Sequence, residues 1–140
     1  MMKKVIYFFG LLLLVSSCKI TPQKIDYGKD MCTFCDMTIV EKTHAAQYVT
    51  EKGRSYKFDA IECLINDMNN KSNAKFSFVL VTDYLNPTNL IDAEKATYLI
   101  SEDIKSPMGE NLSAFKNKNS IKQKGTLYNW KEIKDLLKKK

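Results

Sequence analysis

Histidine is almost absent: His44 is the only one in 140 residues. No Ser/His/Asp set, no paired-acid motif with a companion histidine and no phosphate loop can be assembled from what remains. The common hydrolytic and phosphoryl-transfer chemistries therefore lack their residues. Five glycines and three prolines are too few for a collagen-like or linker-like chain. The one long apolar run, residues 5–15, falls short of the ~20 residues a membrane-spanning helix needs. The length suits one domain and not two ordinary ones. With 44% hydrophobic and 27% charged residues, the composition is that of a globular chain.

What is present begins with an address. Met1-Met2-Lys3-Lys4 is a short basic start, residues 5–15 are the length of a signal-peptide core, and Val15-Ser16-Ser17-Cys18 follows. The tetrapeptide resembles a bacterial lipobox, with Val15 and Ser17 where Leu and Gly are usual. The expectation is a signal peptide over 1–17, a lipidated Cys18, a tether over 18–29 and a folded domain over 30–140. Several acyl chains give stable attachment where one gives only reversible binding. The location expected is the cell envelope, lipid-anchored and facing the periplasm. Without the signal peptide, 20 basic side chains face 16 acidic ones, a net charge of +4. An exported lipoprotein meets no chromosome, so no nucleic-acid partner is expected. An acidic partner surface stays open.

Order is expected from about Met31. Residues 45–50 and 55–58, separated by Glu51-Lys52-Gly53-Arg54, read as a β-hairpin with Gly53 in the turn. Asp59-Ala60-Ile61-Glu62 reads as a helix start with Asp59 as N-cap. Ile61, Leu64, Ile65 and Met68 then form one apolar face, with Cys63 off that stripe. A strand is expected next, with Phe76, Phe78 and Leu80 on one face and Val79 and Val81 on the other. Residues 83–94 read as a loop. Strands are expected at 96–101, 112–115 and 126–128, and a helical turn at 120–124. Asn129 caps a last helix with Glu132 at its third position, and Ile133, Leu136 and Leu137 supply its apolar face. Trp130 is expected in the core. Both halves place a strand just before a capped helix.

The most informative stretch is Asp30-Met31-Cys32-Thr33-Phe34-Cys35-Asp36-Met37. If it is extended, Cys35 and Met37 share a face. A thiolate and a thioether together select Cu(I) over hard cations. Ser106-Pro107-Met108-Gly109 reads as an exposed turn presenting Met108. Cys32 is open to three readings: further ligand, disulfide partner of Cys35, or mere neighbour. His44 reads as a surface side chain or an auxiliary ligand, and Met31 as an auxiliary thioether. Cys63 reads as a packing residue, or as one facing the sulfur cluster. A C-x-x-C also serves thiol redox proteins, but there it opens a helix, and no apolar helix follows here.

In combination these motifs resemble the NosL family: Cys-x-x-Cys-Asp-Met-x-Ile, Lys57 to Leu64 as Lys-Phe-Asp-x-x-Glu-Cys-Leu, then Ser-Pro-Met-Gly, a Gly, a short strand and a last helix. The resemblance covers about residues 26–138. It implies an α+β fold, one small domain of two related ββαβ-like halves similar to the organomercurial lyase core. It also implies a lipoprotein copper chaperone for nitrous oxide reductase maturation in denitrification, with assembly proteins of that reductase as partners. By position, the ligands implied are Cys35, Met37 and Met108. Asp36 stands where the family often has Gly. Cys32, Cys35, Cys63 and Asp36 also imitate the residues of organomercurial cleavage, but the methionines favour holding and handing over a soft ion. The expectation is a binding protein with Cu(I), not an enzyme. A general copper-buffering lipoprotein and a C-x-x-C redox protein are the alternatives.

Overall fold

The expected hairpin forms: β1 (Ala46–Thr50) pairs antiparallel with β2 (Ser55–Phe58) through a turn holding Gly53 at φ 80°. A computed structural model describes residues 18–140; the expected signal peptide lies outside them. Helix α1 (Ile61–Asn69) follows β2 directly, and β3 (Phe76–Thr82) returns antiparallel to β1. β4 (Leu90–Asp92) adds an edge to β3, so the first sheet runs β2-β1-β3-β4. The second half gives β5 (Thr97–Ile100), β6 (Leu112–Phe115), a 3-10 turn at Lys118–Ser120, β7 (Thr126–Tyr128) and α2 (Trp130–Lys138). Its sheet runs β6-β5-β7. The chain is thus a small α+β domain of two antiparallel sheets and two helices. The strand-then-helix pair recurs as β2–α1 and β7–α2. The halves are joined by packing of α1 on α2 and by a parallel bridge from Asp83 to Ala114.

Tyr48 organises the first sheet's core. Its ring lies 4.6 to 5.3 Å from those of Phe76, Tyr56 and Phe58. Such aromatic pairs are worth ~0.5–1.5 kcal/mol each beyond area burial. Its hydroxyl donates to Asp67 and accepts from Lys71. Burial pushes its pKa up to about 12, so it stays a neutral phenol. In the second half, Trp130 packs 5.6 Å from Tyr98. The Asn129 cap is a full capping box: its side chain accepts from Glu132 N, and Glu132 accepts from Asn129 N.

Four expectations are corrected. The register slips between Val49 and Thr50, so Phe76 joins Val79 and Val81 on the core side instead of sharing a face with Phe78 and Leu80. A bulge breaks the period of two that the sequence suggests. The loop over 83–94 contains β4, whose three residues are too few to show alternation and are held by pairing with β3. The stretch read as tether is packed from Gln23 onward: Gln23 and Gln47 exchange hydrogen bonds of 2.8 and 2.7 Å, and Ile25 is buried. Helix α1 is capped by Ala60 with no side-chain cap bond, so Asp59 is not its cap. Among the described residues no helix is long and apolar enough to cross a membrane.

Candidate metal centre

The segment 31–38 is a closed turn and not an extended strand. Met31 bridges Thr38, Cys32 N–H donates to Met37 C=O (2.8 Å), and Asp36 N–H donates to Cys32 C=O (3.0 Å). Closure requires Asp36 at φ 60°, where short polar residues are tolerated and glycine is free. Cys35 and Met37 are therefore not set side by side by a pleat. The turn is fixed to β2 by Thr33 N–H on Lys57 C=O (2.9 Å) and by the Lys57–Asp30 ion pair (2.6 Å). Asp36→Gly is expected to change stability by less than ~1 kcal/mol, because relief of left-handed strain offsets glycine's greater unfolded freedom. Asp36→Val is expected to cost ~2 kcal/mol, since a β-branched residue resists positive φ. Thermal unfolding of both variants checks this.

The turn lays two thiols against the end of β2 and the first turn of α1. There the ligand atoms of Cys32, Cys35, Asp59 and Cys63 lie within 4.8 Å of one another. Cys32, Asp59 and Cys63 are buried; Cys35 is half-buried and opens the group to solvent. The Cys35 thiol donates to Asp59 Oδ1 at 3.5 Å. None of the four cysteines is in a disulfide.

The thiols are not equivalent. A hydrogen bond from Cys63 holds the Cys32 thiol down at about 6, helped by backbone N–H groups of Cys35 and Asp59. Burial pushes the Cys35 thiol up to about 11. Cys63, as donor to Cys32 in a buried setting, is pushed up as well. At neutral pH the cluster is one thiolate flanked by two thiols.

The methionines of both turns are at the surface. Met37 is 53% exposed, Met108 37%, and Met31 is exposed too. The Ser106–Gly109 turn is tied to α1: Ser106 Oγ donates to Glu62 Oε1, and Asn111 N–H donates to Ser106 Oγ (2.9 Å). Glu62 precedes Cys63, so the Met108 turn is pinned to the same first turn of helix. Burial raises the Glu62 pKa, and its Oε2 has no partner.

His44 is corrected. It is buried, not a surface side chain: Nδ1 lies 2.9 Å from Thr43 Oγ1, Nε2 lies 3.2 Å from Ser113 Oγ, and Tyr84 meets its ring edge-on. It is not one of the converging ligands. Asp59 and Cys63, neither singled out as a ligand from sequence, are brought into the cluster instead. The off-stripe position of Cys63 was the available signal for it.

No curated protein matches the chain. Among solved structures, the copper chaperone NosL from Shewanella denitrificans is similar in fold, with TM-score 0.69 and 21% identity, covering 81% of this chain and 96% of that one. The family model for NosL matches residues 22–137. With nearly all of the described chain inside that match, the protein belongs to the NosL family.

Proposed function

We propose that the protein is a lipid-anchored Cu(I) metallochaperone of the cell envelope that hands copper on for assembly of nitrous oxide reductase. The observation that carries this reading is the half-buried Cys35 thiol, which opens a buried sulfur cluster to solvent on a turn that also carries the exposed Met37 thioether. Thiolate and thioether fit a soft monovalent ion. The carboxylate of Asp59 is a hard donor and fits better as the acceptor of the Cys35 hydrogen bond. Cu(I) is cargo here. Cys35, Met37 and Met108 hold it at the open side, with the Cys32 thiolate behind. Thiolate supplies affinity, and thioethers leave the site exchangeable, so an acceptor displaces ligands one at a time. Only metal–ligand bonds exchange and no covalent bond of a substrate is made or broken, so the role is binding and transfer, not catalysis. Lipid on Cys18 keeps the domain at the membrane, and the client is the reductase's assembly machinery.

Titration of the reduced protein with Cu(I) against a competing chelator tests the site. One tightly bound ion is expected, with affinity lowered ~10-fold in Met37→Ala and in Met108→Ala, the low end of what removal of a metal-site partner costs. Indifference to both substitutions would overturn the ligand set. A thiol-redox protein would show that indifference while depending equally on Cys32 and Cys35.

A further inference from the structure

The anchor emerges at a basic end of the fold. Ile20 packs beside the β1–β2 turn: a Cβ placed on Gly53 would lie 3.7 Å from Ile20 Cγ1. Cys18 is two residues from Ile20, at most ~7 Å of extended chain. The tether that would let the domain swing free is absent, because the chain is already bonded to β1 at Gln23. A lipid on Cys18 therefore holds this turn at the headgroup layer, about one Debye length away at physiological salt.

The same end is positively charged. Lys52, Arg54 and Lys75 line an open groove of about 470 Å³ beside the turn, with Glu51 the one acidic side chain in it. Arg54 stacks over Tyr56 at 5.7 Å, which holds the guanidinium at the surface. Lys71, over the same ring, is already paired with Asp67 and adds no net charge. Another basic stretch, Lys116 to Lys124, lies in the second half, so charge alone does not choose a face. Proximity to the anchor does.

We propose that the groove around Lys52, Arg54 and Lys75 docks on anionic phospholipid headgroups of the membrane carrying the Cys18 anchor. This rests on the lipoprotein reading of Cys18. The consequence is orientation. Gly53 and Asp59 lie beyond opposite ends of the four-residue β2, whose own span is ~10 Å at strand rise. Docking by the turn points the sulfur cluster away from the bilayer, toward soluble acceptors. The chain then presents its cargo in one pose.

The full-length protein, purified from membranes, is reconstituted into vesicles of phosphatidylcholine alone or with phosphatidylglycerol, and amide exchange is followed by mass spectrometry. Slowed exchange at 51–55 and 73–75 is expected on anionic vesicles only. Lys52→Glu with Arg54→Glu should lower the docked-to-free ratio at least ~25-fold, about fivefold for each basic residue lost. Lys118→Glu with Lys122→Glu should leave it unchanged. Equal protection on neutral vesicles, no protection on either, or loss only in the Lys118/Lys122 variant would overturn the proposal. The mass of the N-terminal peptide reports acylation separately. If it carries no lipid, the reading of Cys18 fails by itself, and the same protein added to preformed vesicles still tests the basic groove.

Discussion

Cys35→Ser is expected to lower Cu(I) affinity ~100-fold or more, at or beyond the 10–100-fold that outer partners of a metal site are worth. The hydroxyl is a hard, neutral donor in place of a soft thiolate. A pH series sharpens the test. Burial pushes the Cys35 thiol up to about 11, so from pH 7 to 9 it is protonated and binding must expel its proton. Affinity should therefore rise ~10-fold per pH unit, one proton's worth. Cys32, held at about 6, is already ionised in that window and adds nothing to the slope. Below about 6 it too must be deprotonated, and the slope should steepen. In Cys35→Ser the slope between 7 and 9 should vanish. A flat wild-type profile would remove Cys35 from the ligands, and a slope of two protons would add Cys63. The measurement is the same chelator competition, repeated at each pH. Asp59 makes the expectation specific: it accepts the Cys35 proton's hydrogen bond in the free protein and loses that bond when the ion arrives.

Gly125→Ala is expected to be the most damaging conservative change outside the site. Its Cβ would lie 2.3 Å from Ile100 O and 2.8 Å from Leu99 Cδ1. The first neighbour is backbone of β5 and cannot swing aside. Gly125 leads into β7, which pairs with β5 through Ile100 and Thr126, and β7 leads into α2. Relief of the clash must part β7 from β5 or shift α2 with buried Trp130 and Ile133. Overpacking of this kind costs ~3 kcal/mol. For a domain of this size that lowers Tm by about 10–15 °C. Gly28→Ala separates clash from conformation: nothing lies within 4 Å of its Cβ, but φ is 84°, so only left-handed strain of ~1 kcal/mol remains. Equal melting temperatures for the two variants would mean that β7 gives way without cost.

The hairpin, the last helix and its cap were legible because their signals are local. The Glu51–Arg54 turn, the Asn129–Glu132 box and the 3.6-residue stripe each act over a few residues. His44 misled for the opposite reason. A lone histidine after a polar turn looks exposed, yet its ring is buried by Tyr84 and by Ser113, the latter from the second half of the chain. Asp59 misled in a related way. Its place before Ile61 and Glu62 has the pattern of a cap, and α1 forms without that bond because its burial against both sheets supplies what the cap would have.

The sequence alone determined the chemistry available: soft sulfur donors clustered in one short segment, a thioether in a Pro-Gly turn, a cysteine in a tetrapeptide that resembles a lipobox, and the family they resemble. It also determined the class of fold, since strand and helix periods are written into the spacing of apolar residues. Only the tertiary structure decided which donors meet. Cys35 reaches Asp59 across 24 residues, and Ser106 reaches Glu62 across 44. Those contacts exist because the 31–38 turn closes on β2 and the 106–109 turn closes on α1, each through backbone and side-chain bonds to partners distant in the chain. Periodicity reports what neighbours in sequence share. Burial, pKa and ligand geometry depend on what neighbours in space impose, and for Cys32 and Cys63 that is each other.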